Sequence, residues 1–466
     1  MDQEQFRQNI FNRRNFLRGA AGTSLGLMAS SSLLAACGGG STSNVTNAPV
    51  TIKLMNAPDP KTDSSDYSTW MKVIQQITQK NPQYKYQLLK GGYDATTFYT
   101  QFAAGQAPDV IQTFFTEPQS MIARGAATDI NALFHSSQYA NIFAPGVLDS
   151  MTGPNGHIYG LPYGTYELCL FYNRSVFQEA GLDPNKPPLT WDDYRQYAKR
   201  IADKTNKTGS VECSSGGQGG WRFVNWLYSN GGSAMVQQNG KWTATINTPQ
   251  AQDLLQFFSD MRFTDRSMQA QTASMQQTNT ADLVASGKVG MTIAGAYVPG
   301  TYYTGKGSID FLGLGPMPQN GGNAALGGGN VWVFNSKSSS EVIKAGFEWA
   351  TTLEYDLGYY EANDKALAAA NKAVGMPLTY LYTGSYSQQI QQIDAKYVNV
   401  PTQNYAPYVN NTSVHLKAEP PQNAQQLYSL LDVAMQDVFT NPHADISARL
   451  ANIQQTFQTR YLDALS

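Results

Sequence analysis

Charge is scarce in this chain. Asp, Glu, Lys and Arg make up 14% of 466 residues, against roughly 25% in an average soluble protein. The balance is 32 basic to 34 acidic residues, a net charge of −2, with no basic block. Neither nucleic acid nor an anionic membrane surface is therefore an implied partner. Histidine is rarer still. His135, His157, His415 and His443 are scattered, with no H-E-x-x-H, paired spacing or C-x-x-C. No metal site and no cofactor are expected. A phosphate-binding loop is missing too, because Gly327-Gly328-Gly329 has no Lys-Ser/Thr behind it. The acid pair Asp192/Asp193 is better explained as helix capping. A glycosidase would need two carboxylates facing one bond, and nothing positive in the sequence supports catalysis.

Cysteine is nearly absent, with three residues in all. Cys37 belongs to the N-terminal signal described next. Cys169 and Cys213 are read as two buried thiols, with a disulfide beyond the cytoplasmic membrane as the alternative.

What is plentiful is Tyr, Gln, Asn, Ser, Thr and Gly; aromatics reach 12%, with 27 Tyr available for packing or for stacking on a ligand. The length allows two or three domains with sizeable cores. Arg13-Arg14-Asn15-Phe16-Leu17-Arg18 resembles a twin-arginine export signature. The following run of small and apolar residues ends Leu34-Ala35-Ala36-Cys37-Gly38, which resembles a bacterial lipobox. Residues 1–37 are read as a lipoprotein signal, lipidated at Cys37, since the run is too short and Gly/Ser-rich for a spanning helix. The hydrolase-like Gly22-Thr23-Ser24-Leu25-Gly26 falls inside it and is discounted. Residues 38–49 read as a flexible tether with an r.m.s. span of about 20 Å.

From Val50 onward strands alternate with helices, which argues for α/β lobes. Strands are expected at 50–55, 84–89 and from 110, with helices around Trp70–Ile77 spacing and over 96–104. Next come Gly156, Gly160 and Pro162, then an apolar strand over 168–172. Ser175 and Gln178 are spaced as a capping box, and Thr190-Trp191-Asp192-Asp193 as a second. Further helices are expected over 191–201, from Trp221, over 250–261 and 342–353, the last behind Ser338-Ser339-Ser340-Glu341. Two more, over 424–438 and 444–461, flank Asn441-Pro442.

The stretch HIYGLPYGTYELCLFYNRSVFQEAGLDPNKPPLTWDDY (157–194) resembles the segment that carries family 1 extracellular solute-binding proteins, the maltose-binding-like group, from one lobe into the other. Four more pieces follow that family in order. They are AAGQAPDVIQ (103–112), LVASGKVGMTIAGA (283–296) before Tyr297, the run from Pro316-Met317-Pro318 to Asn335, and Gly375-Met376-Pro377-Leu378. Tyr297 stands where Trp is more usual, and no Arg follows Pro377. The resemblance covers residues 50–466.

It implies a two-lobed α/β periplasmic-binding-protein fold of type II with a ligand cleft between lobes. Lobe one would hold 50–160 plus 320–376, and lobe two 161–319 plus 377–466. It also implies a lipid-anchored, extracytoplasmic, monomeric substrate-binding component of an ATP-binding-cassette importer, partnered by its membrane permease. A sugar presents an apolar face and an edge of hydroxyls, which aromatic rings and Asp, Glu, Asn or Gln can meet. On that basis the resemblance selects Asn56, Asp59, Phe115, Thr116, Tyr163, Tyr166, Glu167, Trp221, Asn225, Tyr297, Asn330, Trp332 and Tyr428. Each has a structural alternative: Trp332 as core, Tyr163 as hinge packing, Glu167 as an ion-pair member, Asp59 as a loop stabiliser. The expected ligand is a mono- to oligosaccharide; a polyamine or a polyol phosphate is the alternative. A phosphate would want an arginine, and Arg222 is the obvious candidate.

Overall fold

The computed structural model describes residues 49–465 apart from 96, 239, 271–272 and 378–380. The export and lipidation signals, Arg13-Arg14 and Cys37 included, the tether up to residue 48, and Leu378 lie outside the described residues.

The strands are β1 (Val50–Leu54), β2 (Tyr84–Leu88), β3 (Val110–Phe114), β4 (Gly160–Asn173), β5 (Thr208–Ser210), β6 (Met235–Gln238), β7 (Lys241–Ala244), β8 (Val289–Gly295), β9 (Leu312–Gly315), β10 (Ala324–Phe334) and β11 (His415–Ala418). Nine join in one sheet, ordered β2-β1-β3-β10-β4-β8-β5, with β11 added to β10 and β9 to β4; β6 and β7 form a separate hairpin. The parallel β2-β1-β3 unit belongs to one lobe and β8 with β5 to the other.

Two long strands tie the halves together. The first part of β4 pairs antiparallel with β10, from Gly160↔Val333 to Glu167↔Gly327. Its second part pairs with β8 and β9. β10 in turn reaches β3 through Asn330↔Phe114 and onward. The register slips between Asn330 and Val331, leaving Tyr163 unmatched between Pro162 and Gly164. Pro162 has no N–H for a regular ladder, so a bulge at this place follows from its chemistry.

Side-chain alternation on these strands sorts the cores. In the first lobe, Ile52, Leu54, Trp332 and Phe334 pack with Trp70 and Trp349 on one face. Ile111, Val331 and Val333 pack with Phe98 and Met121 on the other. In the second lobe, Leu168, Leu170 and Tyr172 face the helices Trp191–Lys204, Gln218–Ser229 and Ala424–Thr440. Cys169 and Phe171 face the opposite way, toward Val284, Leu312 and Tyr405.

Local signals place the helices. Thr190 and Asp193 make the expected capping box, and Thr248 with Pro249 starts Pro249–Ser259. The helix after β4 departs from expectation. Asn173, still in extended backbone at the strand's end, takes the Val176 N–H, so Arg174–Glu179 begins ahead of the expected Ser175 cap. Ser339 caps Ser340–Tyr355. Cys169 and Cys213 are buried free thiols, the first of the two readings. Among the described residues no helix is long and apolar enough to cross a membrane.

Candidate functional site

The same alternation divides the candidates from β4 between two faces. Tyr166 lies on the side of Leu168 and the second-lobe helices. Tyr163 and Glu167 line a cavity on the opposite side. One solute cannot touch all three side chains from one compartment.

Around Tyr166, both lobes supply rings and acids. Its ring meets Trp221 edge-on, with centroids 5.5 Å apart. Trp221 is placed by a tight construction. Gly216 and Gly217 both take positive φ, +70° and +78°, and lead into Gln218–Ser229. The first amides of that helix, Gly217 and Gly220, donate to Asp432 at 2.5 and 2.9 Å. The Tyr428 hydroxyl donates to Glu419 Oε1 at 2.9 Å, and the Tyr166 hydroxyl also engages Glu419. Burial pushes the Glu419 carboxyl up to about 7. From the first lobe, Glu117 accepts from the Tyr93 hydroxyl at 2.8 Å and from Thr116 Oγ1 at 3.1 Å. Burial raises its pKa as well, and its charge reaches Glu419 to raise that pKa further. Carboxyls from the two lobes thus face one compartment.

The glycines beneath are needed there. A β-carbon on Gly328 would run into Glu419 and the Tyr166 hydroxyl, and one on Gly329 would strike the Phe115 ring. Further along, Gln277 Nε2 donates to the Tyr297 hydroxyl at 2.9 Å, and the Gln277 N–H to Gln218 Oε1 at 2.6 Å. Two polar atoms remain unanswered. The Trp221 indole N–H approaches the Tyr166 hydroxyl without completing a hydrogen bond, and Gln277 Oε1 is also without a partner among the described residues. Their residues are 7% and 6% exposed, so bulk water does not replace the missing partners.

Of the sequence candidates, Phe115, Thr116, Tyr166, Trp221, Tyr297 and Tyr428 gather here. Asn330 lies half-buried at the crossing, beside Gly164. Asn56 is exposed at φ +55° and belongs to a hydrogen-bonded chain, Asn56–Gln112–Tyr163. Three candidates are occupied elsewhere. Asn225, fully buried, accepts from the Leu326 N–H at 2.7 Å and faces Met317 Sδ. Trp332 is 2% exposed in the first-lobe core, its indole donating to Glu354 at 2.8 Å. Asp59 pairs with Lys90 at 2.7 Å and takes the Lys61 N–H, as a loop stabiliser does. Arg222, the candidate for a phosphate, is 0% exposed and engages Glu212, Thr292 and Thr280 through its two terminal nitrogens, with Nε left without a partner among the described residues. Tyr93, Glu117, Gln277 and Glu419 went unread in the sequence. Glu117 precedes Pro118 as a helix-start acid would, and Glu419 precedes Pro420-Pro421 as a loop residue would.

Comparison with known proteins agrees with this architecture. The sn-glycerol-3-phosphate-binding periplasmic protein UgpB of Escherichia coli K12 is 24% identical over 352 residues, 66% of this chain and 77% of its own. Among solved structures, the ABC substrate-binding protein Lmo0181 from Listeria monocytogenes, in complex with cycloalternan, superposes with a TM-score of 0.66 at 17% identity, covering 88% of this chain and 98% of that one. Maltose-bound MalE3 of T. maritima gives a TM-score of 0.66 at 18% identity, covering 88% and 99%. The model of the family described as bacterial extracellular solute-binding protein matches residues 61–356, well over half of the chain. With its two lobes and their shared crossing strands, the chain belongs to the bacterial extracellular solute-binding proteins.

Proposed function

We propose that the protein reversibly binds an uncharged carbohydrate, mono- to oligosaccharide, in the compartment around Tyr166. It would pass that sugar to the permease of an ATP-binding-cassette importer. The observation that carries the reading is the set of groups left for a solute. An indole N–H and an amide oxygen lack partners, aromatic faces surround them, and buried carboxyls stand on both lobes. Hydroxyl groups, each donor and acceptor, answer such a set. The proposed contacts are Phe115, Tyr166, Trp221, Tyr297 and Tyr428 from the sequence, with Tyr93, Glu117, Gln277 and Glu419 added. Cycloalternan and maltose in the structural neighbours accord with this.

The curated relatives' sn-glycerol-3-phosphate does not. A phosphate needs a cation or free helix amides. Here Arg222 is buried and paired with Glu212, Arg124 lies over the Tyr99 ring at 4.3 Å, and Asp432 takes the Gly217 and Gly220 amides. The family is one of binding proteins, and no catalytic role is assigned.

Export by the twin-arginine route, lipidation at Cys37 and a monomeric state complete the proposal. The lobe division belongs to it too, with one change. Leu381, Tyr382 and Tyr386 pack on the first-lobe core, while Ala373 and Met376 ahead of them and Val400 and Tyr405 behind pack in the second, so we read the third crossing as a segment over 373–400 rather than a point at 376–377.

A thermal-shift screen of residues 38–466 against sugars, polyamines and polyol phosphates tests the reading. Ligand at a hundred times its Kd adds about 2.7 kcal/mol to the folded state. A rise with one glycan group, lost in Trp221→Ala, is the expected result. A rise with a phosphate ester alone would overturn the ligand.

A further inference from the structure

The crossing strands have a second face, and it is not closed. Between the lobes on the side of Tyr163 and Glu167 lies a cavity of about 720 Å³, within the range of small-molecule sites. Both lobes and the crossing segment wall it. Trp70, Tyr163, Tyr360 and Tyr408 contribute rings, and Asp66, Glu167, Glu354 and Asp394 contribute carboxyls. Among the described residues that line it there is no Lys, Arg or His.

The rings and acids are held together rather than merely near. Tyr163 stacks on Trp332 at 5.0 Å, and the Trp332 indole donates to Glu354. Tyr408 donates to Glu167 Oε2 at 3.0 Å and Tyr360 to Asp394 Oδ1 at 2.8 Å. Behind Asp394 lies the buried Asp364, whose carboxyl faces Asp394 and is pushed up to about 7 by burial and by that neighbour. The field of Lys372 acts on Asp66. Among the described residues no basic group acts on Glu167 or Glu354, and burial holds them up, to about 7 and about 8. Buried acids without a counter-charge, facing aromatic π-surfaces, fit one chemical class.

We infer that this cavity is a second ligand site, distinct from the compartment around Tyr166, which takes an organic cation such as an alkylammonium or short diamine. The cation supplies the charge that the carboxyls lack, and its methylene or methyl groups lie on the rings. The inference goes beyond the carbohydrate reading and does not depend on it.

Calorimetric titration of the full-length protein with tetramethylammonium and with putrescine tests it, with 1,4-butanediol as the uncharged control. One cation should bind at one site per chain while butanediol does not. Glu354→Gln keeps an oxygen for the Trp332 indole but removes the negative charge, and should weaken the cation at least tenfold. Should that variant lose its circular-dichroism signature, Asp394→Asn decides by the same criterion. Trp221→Ala, on the other face, should leave cation binding unchanged. The inference is overturned if neither cation binds, if butanediol binds as well as putrescine, or if Trp221→Ala abolishes cation binding. That last result would make the cation the cargo of the Tyr166 compartment and overturn the sugar reading instead of supporting a second site.

Discussion

Glu419 shows how one residue ties the compartment to pH. Its carboxyl rises from an ordinary 4.5 to about 7 in the fold, so the folded chain holds a proton that the unfolded chain gives up. Stability from this group is complete below pH 4.5, falls as pH rises, and levels off above about 7. The loss is roughly 3 kcal/mol at about 1.4 kcal/mol per pH unit. Tyr166, Tyr428 and Glu117 face it, and Glu117 shifts in the same direction. Urea denaturation at pH 5 and pH 8 measures this, and Glu419→Gln should flatten the profile. Gly328 tests the same contact sterically. Gly328→Ala pushes a methyl into Glu419 and Tyr166 and should cost about 1–3 kcal/mol, seen as a lower denaturation midpoint. Trp221→Ala should act in the other sense, removing sugar binding while the helix, held by Asp432 at its first amides, keeps its place. At this scale the sequence was half legible. Trp221 and Tyr166 stood out as aromatics beside glycines in a segment resembling a known family. Glu117 and Glu419 did not, because an acid in a loop acquires a role only when the fold brings a second lobe against it.

The elements were read more fully than the side chains. Thr190 with Asp193 and Thr248 with Pro249 are local chemistry, and such signals survive any tertiary context. Thr190→Ala should therefore cost about 1 kcal/mol without touching ligand affinity, a separation that denaturation and binding assays report independently. Ser175 was misplaced as a cap because the end of β4 could not be located to the residue, and Asn173, the strand's last residue and still paired with Leu312, performs the task. The failure over Tyr163, Tyr166 and Glu167 has a related cause. Motif resemblance gives a segment, whereas the face a residue occupies follows from strand parity, and parity here is complicated by the bulge opposite Asn330/Val331. Asn225 and Trp332 were similarly drawn in by neighbourhood and lost to the core by orientation.

For the whole molecule, ligand contacts drawn from both lobes favour closure, since only the closed state makes them all. Small-angle scattering should show the radius of gyration falling when the sugar found by thermal shift is added, and no fall with Trp221→Ala. The arrangement of the crossing strands also fixes an order of events during synthesis. β3 finds its outer partner only in β10, at Phe114↔Asn330, and every residue of the second lobe's strands β5 and β8 is made in between. At about 5–20 residues per second the ribosome needs roughly 10–40 s to supply that partner. Through that interval the N-terminal strands wait with one edge of β3 bare. The central strands β4 and β8, paired Leu168↔Gly295 to Tyr172↔Met291, can meanwhile assemble, but the core they face takes in Leu427, Leu431, Met435 and Phe457 from the last helices of the chain, so the lobe begun in the middle is the one finished last.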